Sequence, residues 1–391
     1  MASPGRFVIL VVDSCGAGAL PDAARYGDAG ANTLANLARR VGGLELPTLQ
    51  RWGLGNVTPI EGCPRASSPL ASWGAMQELS HGKDTTTGHW EMMGVVLEKA
   101  FATFPDGFPE PLLQEWLRLS GAKGYLGNKA ASGTAILDEL GPAHLASGLP
   151  IVYTSADSVF QIAAHEEKVP LATLYRWCEA ARQVGMRNGI ARVIARPFVG
   201  APGAFVRTYN RRDFSQPPPP GTALDLIQSA GVEVIGVGKI PDIYDGRGIT
   251  RGVHTEGNAD GLKKTEALLG QMEAGLLFVN LVDTDMLYGH RRDSAGYARA
   301  LREIDDALPA IAAKLRPSDL LVITADHGND PTFPGTDHTR ERVPLLVVAP
   351  GRREGAPLGD RASFADLGAT AAEYFGVRAP RGESFLAEVR A

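Results

Sequence analysis

Three short apolar runs, each ended by acidic residues, constrain the fold of this chain most strongly. They are FVILVVD at residues 7–13, LLFVNLVD at 276–283 and LLVITAD at 320–326. Continuous runs of Val, Ile and Leu of this length are typical of strands in a parallel sheet that is covered on both faces. A fourth run, VPLLVVAP at 343–350, ends in a proline and is followed by a glycine. These runs predict four buried strands.

Segments with helical periodicity alternate with the apolar runs. They are NTLANLARRVG, TALDLIQSAG, SAGYARALREIDDALPAIAAKL and FADLGATAAEYFG. Alternation of this kind predicts an α/β fold with a doubly wound, mainly parallel sheet. The chain has 391 residues, which is long for one domain, so a second domain is expected.

The middle of the chain has a different character. Residues 100–216 are richer in loops, and they end at the proline run QPPPPG of residues 216–221. Consecutive prolines form a stiff, extended spacer. We therefore predict a metal-binding catalytic core domain of residues 1–99 and 217–391, interrupted by an inserted α+β cap domain of residues 100–216 that binds substrate.

Charge and composition exclude several classes of function. A net charge of −5 provides no general attraction for nucleic acid. The first apolar run is short and is interrupted by Asp13, so it does not resemble a secretory signal, and no window reaches the roughly 18 apolar residues of a membrane span. Cys15, Cys63 and Cys178 are few and widely spaced, which favours a reducing cytoplasm. Since no long apolar helix demands a partner, a monomer is expected.

Acids and histidines follow the predicted strands, where open α/β sheets place their sites. They are Asp13, Asp283, Asp285, His290, Asp326, His327 and His338. Carboxylates together with imidazoles suit Mn²⁺ or Zn²⁺, and two such ions could clamp a phosphoryl group. A single Asp or His in a loop is more often a cap or a turn former. Five or six residues of metal-ligand type at strand ends favour the two-metal interpretation.

The stretch KDTTTGHWEMMG, residues 83–94, presents three hydroxyls in a row. Threonine is a poor helix former because its branched β-carbon restricts χ1. Thr85, Thr86 and Thr87 at the start of a helix therefore indicate a cap, a loop filler or a hydroxyl used in chemistry. The residues alone do not distinguish between the three threonines.

Longer motifs show a resemblance to a known family. They are VVDSCGAGALPDA, GKDTTTGHWEMMG, GNKAASGTAILDELG, VYTSADSVFQIAAHEE, RVIARPFVG, GKIPDIYDG, DTDMLYGHRRD and TADHGNDPTFPGTDHTRERVPLL. With them the chain resembles the phosphopentomutases, metal-dependent members of the alkaline phosphatase superfamily. ADHGND and GTDHTRE mark the wider superfamily, whereas GKDTTTGHWE and YTSADSVFQIAAHEE are more specific to the phosphopentomutases.

The resemblance implies an isomerase that interconverts α-D-ribose 1-phosphate and ribose 5-phosphate, and likewise the deoxyribose phosphates. It implies two Mn²⁺ ions and activation by a sugar bisphosphate, either ribose 1,5-bisphosphate or glucose 1,6-bisphosphate. It places Asp13, Asp326 and His327 at one ion, and Asp285, His290 and His338 at the other. It makes Thr85 the residue that carries the phosphoryl group.

The resemblance also implies a set of substrate-binding residues. They are Ser155, Asp157, Val159, Arg192, Arg207 and Lys239. Without the family, the arginines would be interpreted as surface ion-pair partners and Asp157 as a turn residue. We interpret Thr87 as a helix cap, Thr86 as a spacer and Asp283 as a cap or an acceptor for a ligand.

Two other functions compete with the mutase interpretation. A hydrolase or a cofactor-independent phosphoglycerate mutase of the same superfamily would use similar metals, but the latter is expected to use a serine nucleophile. A non-catalytic protein that binds metal or sugar phosphate is expected to lack the nucleophile or some ligands. None of the residues implied by the resemblance is missing from this chain.

Overall fold

The computed structural model describes residues 5–155 and 158–390 of the chain. The chain divides into two compact units, of which one combines Met1–Lys99 with Pro218–Ala391. The second unit, Ala100–Pro217, is inserted into the chain of the first.

The strands of both units are numbered in chain order. They are β1 (Arg6–Val12), β2 (Ser72–Met76), β3 (Leu126–Ala130), β4 (Ile151–Thr154), β5 (Val159–His165), β6 (Arg192–Val199), β7 (Val206–Arg207), β8 (Arg212–Ser215), β9 (Val234–Val237), β10 (Arg251–Val253), β11 (Gly275–Leu281), β12 (Leu320–Thr324), β13 (Val343–Val348) and β14 (Pro357–Arg361).

The α-helices follow the same order. They are α1 (Thr33–Val41), α2 (Pro47–Trp52), α3 (Leu54–Val57), α4 (Thr85–Met92), α5 (Glu110–Ser120), α6 (Ala135–Ser147), α7 (Leu171–Arg187), α8 (Ala223–Ser229), α9 (Ile240–Ile243), α10 (Asn258–Gln271), α11 (Ser294–Ala313), α12 (Ala365–Tyr374) and α13 (Leu386–Arg390). A 3-10 helix spans Ala23–Tyr26, and a π-helix spans Thr284–Gly289.

The first unit is built on an eight-stranded sheet with the order β10-β9-β11-β1-β12-β13-β2-β14. The five strands from β10 to β12 are parallel to their neighbours, and β13 runs against both β12 and β2. The sheet is therefore mainly parallel, as the sequence predicts. Strand β1 lies between β11 and β12, so the three predicted strands that end in acids are direct neighbours.

Burial explains why polar and apolar residues do not alternate along these strands. Every residue of β1, β11 and β12 is buried. A strand with helices on both faces of its sheet has no solvent-exposed side, so continuous apolar sequence is the stable choice. Arg6, at the start of β1, is also buried and donates from Nε to Asp319 Oδ2 at 2.9 Å. Asp319 thereby neutralises the buried charge of Arg6 at the amino end of β1, which is the end opposite Asp13.

Three of the four helices predicted in the first unit, α1, α8 and α11, begin with a side-chain cap. Asn32 caps α1 by accepting from Ala35 N at 3.1 Å, and Asp293 caps α11 by accepting from Gly296 N at 2.8 Å. Both bonds satisfy N–H groups that have no partner within their helices. Thr222 and Asp225 form a reciprocal capping box at the start of α8.

The second unit has its own mixed sheet, with the order β3-β4-β5-β6-β7 and with β8 paired to β6. One face packs against α5 and α7 in a cluster that includes Trp116, Phe160 and Val193. The other face carries a smaller cluster that includes Ile136, Tyr153 and Phe198. Each face has its own apolar core, which is the organisation expected of an independent α+β domain.

None of the helices formed by residues 5–155 and 158–390 is long and apolar enough to cross a lipid bilayer.

We predict that Gly88→Ala destabilises the first unit. A Cβ atom at Gly88 in α4 would lie 2.0 Å from the backbone oxygen of Asp326, so the helix or the end of β12 would have to move. Overpacking of this kind typically costs about 1–3 kcal/mol. Thermal unfolding monitored by circular dichroism measures the loss.

Gly270→Ala is the matched control, because a Cβ at this helical glycine of α10 meets nothing within 4 Å. It should leave stability unchanged or raise it by about 0.4–1 kcal/mol. Equal melting temperatures for the two variants would contradict the close approach of α4 to β12.

Candidate active site

The carboxyl ends of three adjacent parallel strands bring the predicted ligands together. Asp13 follows β1, Asp285 lies in the π-helix after β11, and Asp326 and His327 follow β12. Because these strands are parallel neighbours, their ends lie at the same edge of the sheet. His338 reaches the same edge from the loop before β13. Residues separated by about 270 positions in the chain therefore share one site.

One group of potential ligands consists of Asp13, Asp326 and His327, whose ligand atoms lie within 4.8 Å of one another. His327 Nε2 is 3.4 Å from Asp13 Oδ1 and 3.4 Å from Asp326 Oδ2. All three residues are buried. The group coincides with the set that the resemblance assigns to one ion.

A second group consists of Asp285, His327 and His338, again with ligand atoms within 4.8 Å. His290 extends it, since its Nε2 is 3.2 Å from Asp285 Oδ2 and 3.2 Å from His338 Nε2. The structure thus brings together all six residues predicted as metal ligands. His327 belongs to both groups, whereas the sequence-based prediction assigned it to one ion alone.

The polar atoms of this cluster fit divalent metal ions. No described residue donates a hydrogen bond to the buried oxygens Asp13 Oδ1 and Asp326 Oδ2. His327 and His290 place their Nδ1 atoms 3.1 Å and 2.7 Å from the carbonyl oxygens of Gly328 and Thr336. A carbonyl only accepts, so each Nδ1 carries a proton, and in the neutral ring the Nε2 lone pair is then available to a metal ion. Lone pairs and orphan carboxylate oxygens that face each other in a buried site need a cation between them.

Electrostatics point to the same conclusion. Burial, reinforced by the carboxylates of Asp326 and Asp285, raises the pKa of Asp13 to about 8. Burial would also raise the pKa of Asp285, but His338 and His290 lower it well below its ordinary value. The carboxylates repel one another in a region where water cannot screen them. Metal ions would relieve this repulsion.

Thr85 is the first residue of α4 and lies beside the first group of ligands. Its Oγ1 is 3.2 Å from His327 Nε2. Thr85 is partly exposed, whereas Thr86 and Thr87 are buried. The structure therefore distinguishes the three threonines: only the Thr85 hydroxyl contacts a predicted ligand atom and is also accessible.

The interpretation of Thr87 as the helix cap is wrong. The cap is Asp84, whose Oδ1 accepts from Thr87 N at 3.1 Å. The Thr87 hydroxyl donates to the other oxygen of Asp84 at 2.5 Å. A carboxylate at the N-cap is favoured both as an acceptor and by the positive end of the helix dipole. Thr87 supports the cap and does not form it.

Asp283 does not join the ligand cluster described above. Its Oδ2 accepts from the backbone N of Asn258 at 2.8 Å, and Asn258 Oδ1 accepts in return from Asp283 N at 3.0 Å. Asn258 is the first residue of α10. Asp283 is thus an acceptor at the start of that helix, in agreement with its interpretation as a cap.

The predicted substrate-binding residues lie in both units. In the first unit, Lys239 lies at the start of α9 and is close enough to Asp13 to lower its pKa. In the second unit, Ser155 follows β4, and Val159 pairs across the sheet with Arg192. Arg207 pairs with Phe198 in β6. Asp157 lies outside the described residues.

Three arginines of the second unit, Arg192, Arg196 and Arg207, lie on one face of its sheet. Arg192 and Arg196 are four residues apart on β6 and so lie on the face that Tyr153 shares through its pairing in β4. Burial, followed by the charge of Arg211, lowers the pKa of Arg196 to about 10. Asp213 neutralises part of this charge by pairing with Arg211 at 2.7 Å. A cluster of cations that depress one another's pKa values is suited to an anion.

The sequence analysis missed two residues that hold the second group of ligands. Asn329 donates from Nδ2 to Asp285 Oδ1 at 2.8 Å. Arg292 contacts Asn329 Oδ1 and also donates to the carbonyls of Gly289 and Asp337. These bonds connect the segments that carry His290 and His338. Asn329 lies inside the ADHGND motif, which could have indicated it, but no local signal identifies Arg292.

Comparison with known proteins shows the family. A model of the metalloenzyme superfamily matches residues 5–379. A phosphopentomutase from Anaeromyxobacter sp. (strain K) is 64% identical over 384 residues, covering 98% of this chain and 99% of that protein. A phosphopentomutase from Symbiobacterium thermophilum is 57% identical, covering 100% of both. This chain belongs to the phosphopentomutase family.

A solved structure supports the fold of this phosphopentomutase family member. A protein from Pyrococcus horikoshii has a TM-score of 0.51 at 15% sequence identity, covering 97% of this chain and 99% of that one. At this identity the likeness shows the fold alone. The predicted fold class, an α/β core of alkaline phosphatase type, is confirmed. The expected enzyme class, a metal-using isomerase, is confirmed by family membership.

We predict that the Asp13 carboxyl stabilises the metal-free protein at low pH and that this contribution is lost as the pH rises from about 4 to 8. The pKa of Asp13 is about 8 in the folded protein and about 3.9 when unfolded, so the folded form binds this proton more tightly. That contribution is complete below about pH 4 and is lost as the pH rises through 8. Metal-free Asp13→Asn should therefore be more stable than the wild type at pH 8, with little difference near pH 4.

Thermal unfolding in a chelator at several pH values measures this difference. Adding Mn²⁺ at pH 8 should stabilise the wild type and have a much smaller effect on Asp13→Asn. Asp138→Asn, at an exposed position of α6, is the control and should follow the wild type in both experiments. The same pH dependence in Asp13→Asn and in the wild type would contradict the assignment to Asp13.

Proposed function

We propose that this protein is a phosphopentomutase that interconverts α-D-ribose 1-phosphate and D-ribose 5-phosphate, and likewise the 2-deoxyribose phosphates. The observation that supports it most is the contact of 3.2 Å between Thr85 Oγ1 and His327 Nε2. In this contact an accessible hydroxyl lies beside a buried set of proposed metal ligands. Membership of the phosphopentomutase family, with 64% identity to the Anaeromyxobacter sp. (strain K) protein, supports the choice of substrate.

We further propose that two Mn²⁺ ions bind at the two groups of ligands. Asp13, Asp326 and His327 would hold one ion, and Asp285, His290 and His338 would hold the other. Carboxylate and imidazole ligands suit Mn²⁺. When bound, such ions lower the pKa of a nearby hydroxyl and neutralise charge on transferring phosphoryl oxygens.

Thr85 is the proposed carrier of the phosphoryl group. Its position at the start of α4 is favourable for a phosphate, because the N-terminal end of a helix attracts anions. The P–O bond to Thr85 breaks as a new P–O bond forms to the C1 or C5 oxygen of the sugar, and the proton lost by that sugar hydroxyl is taken up by the Thr85 oxygen. The resulting sugar 1,5-bisphosphate turns round and returns its other phosphoryl group to Thr85.

A bisphosphate is therefore needed to charge Thr85 initially. Ribose 1,5-bisphosphate and glucose 1,6-bisphosphate are the proposed activators, since both can transfer a phosphoryl group and leave a monophosphate. The cycle then consumes no phosphate. Transfer of the phosphoryl group from Thr85 to water would end the cycle. A cap domain that excludes water therefore suits this chemistry. We propose this role for residues 100–216, with the core formed by residues 1–99 and 217–391.

The distal phosphate of the sugar is proposed to bind the arginine face of the second unit. Arg192 and Arg207 were predicted from the sequence, and the structure adds Arg196 as a neighbour on the same face. Guanidinium groups bind phosphate through two parallel hydrogen bonds. Ser155, Asp157, Val159 and Lys239 are the other proposed substrate contacts.

Cytoplasmic location and a monomeric state remain predictions. The three cysteines are free and buried, which is compatible with a reducing compartment.

We predict that Thr85→Ala abolishes both mutase activity and phosphorylation. Purified enzyme with Mn²⁺ and glucose 1,6-bisphosphate is supplied with ribose 1-phosphate, and ribose 5-phosphate is measured. Mass spectrometry of the same sample should locate one phosphate, at Thr85. Loss of the nucleophile should reduce kcat by at least about 10³-fold, because no alternative route for transfer remains.

Thr86→Ala and Thr87→Ala are the matched controls, because both are neighbouring buried hydroxyls that do not contact a ligand atom in the described structure. Both variants should keep the phosphopeptide. Free phosphate as the main product would contradict the mutase and favour a hydrolase. A phosphopeptide that survives Thr85→Ala would contradict the assignment of the nucleophile.

We predict that Arg207→Ala raises the KM for ribose 5-phosphate by about 10-fold or more and changes kcat less. Loss of a charge-assisted contact to phosphate costs about 1.5–3 kcal/mol of binding. Steady-state kinetics over a range of substrate concentrations separates the two constants. Arg176→Ala, an exposed arginine of α7 that bonds to Thr173, is the control and should leave both constants unchanged. An unchanged KM in Arg207→Ala would refute the phosphate site.

A further inference from the structure

His89 is a fully buried histidine of the first unit that lies one turn after Thr85 in α4. Its ring packs against Phe278 of β11, with ring centroids 5.9 Å apart. Burial of an imidazole is costly unless its nitrogen atoms are hydrogen-bonded. The partners of the two nitrogens therefore reveal what the residue does.

Both nitrogens of His89 contact polar groups of the active site. Nδ1 lies 2.8 Å from the carbonyl oxygen of Thr85, and Nε2 lies 3.5 Å from Asn280 Nδ2. A carbonyl only accepts and an amide nitrogen only donates, so both contacts require the proton on Nδ1 and a lone pair on Nε2. The same neutral form of the ring satisfies both partners.

Asn280 extends these contacts to a proposed metal ligand. It lies in β11, next to the central strand β1, and its Nδ2 donates to Asp13 Oδ2 at 3.0 Å. His89 Nδ1 is also 3.2 Å from Asp326 Oδ2, although the geometry there is not that of a hydrogen bond. One continuous set of contacts therefore runs from the backbone of Thr85 through His89 and Asn280 to Asp13.

A structural role in packing alone is the competing explanation. Phe278 and the buried interior would accept an apolar ring of the same size at this position. The two hydrogen-bond partners argue against it, because an apolar ring would leave the Asn280 amide and the Thr85 carbonyl without this partner. A direct role in catalysis is also less suitable, since the nitrogens of His89 contact other protein groups and not the Thr85 hydroxyl.

We propose that His89, together with Asn280, is a positioning residue that fixes Thr85 relative to the carboxylates of Asp13 and Asp326. This inference rests on the proposed function, in which Thr85 carries the phosphoryl group. Small displacements of a nucleophile reduce the rate strongly, because transfer requires close alignment. Residues that orient metal ligands commonly change metal affinity by 10-fold to 100-fold when they are replaced.

Three substitutions at His89 separate hydrogen bonding from packing. Asn places an amide N–H close to the position of Nδ1, Gln places its amide closer to Nε2, and Phe retains the ring without polar atoms. His89→Asn keeps a donor for the Thr85 carbonyl and loses only the acceptor for Asn280, so it should retain more kcat and Mn²⁺ affinity than His89→Phe, which loses both. His89→Gln and His89→Phe should lower kcat by about 10-fold to 100-fold and weaken Mn²⁺ binding by a similar factor, with little change in the KM for ribose 5-phosphate.

Asn280→Ala provides an independent second variant. It removes the donor that joins His89 Nε2 to Asp13 Oδ2 and should weaken Mn²⁺ binding in the same direction. If the two residues act together, the double variant His89→Phe with Asn280→Ala should lose less affinity than the two single losses combined. Strict additivity would contradict a shared role.

His144 is the matched control in the second unit. It is buried, its Nδ1 lies 2.7 Å from the carbonyl of Leu149, and its Nε2 accepts from His165 N at 2.9 Å. His144→Phe therefore removes the same kinds of bond and should lower thermal stability without weakening Mn²⁺ binding. Isothermal titration calorimetry with Mn²⁺ alone supplies a measurement that does not depend on enzymatic activity.

Two outcomes would overturn the proposal. Wild-type Mn²⁺ affinity and kcat in His89→Phe would show that the ring only fills space. A folded His89→Asn that is as impaired as His89→Phe would show that the Nδ1–H group is not what matters. Absence of pentose phosphate interconversion in the wild type would refute the proposed function instead, and the Mn²⁺ titrations would still test the positioning role.

Discussion

Mutual repulsion between the buried carboxylates of Asp13, Asp285 and Asp326 is the constraint on which the rest of this structure depends. Three parallel strands deliver these acids to one edge of the sheet, where burial prevents water from screening them. Burial first, and then the charges of Asp326 and Asp285, raise the pKa of Asp13 to about 8. Such an arrangement is stable at neutral pH when cations compensate it, so the chemistry of the site and the stability of the core are coupled.

Close backbone approaches make this edge compact. Gly88 allows α4 to contact the carbonyl of Asp326, and Gly328 leaves room for the carboxylate of Glu341. Glu341 is buried and accepts from Gly18 N at 3.1 Å and from Thr33 N at 2.9 Å. It thereby ties the loop after β1 to the start of α1 and to the segment before β13. The ligands are held by a framework that is itself rich in buried polar bonds.

Local sequence predicted most of the fold, and it indicated the residues that are the candidate metal ligands. The apolar runs before Asp13 and Asp326 identified the central strands, because burial on both faces leaves a pattern that can be recognised in a few residues. The candidate ligands were indicated by their position after the predicted strands, whereas their division between two ions came from the family resemblance. Residues such as Arg292 and His89 could not be predicted in this way. Their partners are distant in the chain or separated by a helical turn, and a lone Arg or His has many ordinary roles.

The three threonines illustrate which features the sequence predicts and which only the tertiary structure shows. By itself the sequence determined the α/β architecture, the residue types of the site and a helix that begins near Thr85. The resemblance to a family pointed to Thr85 without a physical reason. Only the tertiary structure shows that the Thr85 hydroxyl meets His327 while Thr86 and Thr87 are buried. Hydrophobic patterns are local, whereas the convergence of α4 with β1, β11 and β12 depends on packing between segments far apart in the chain.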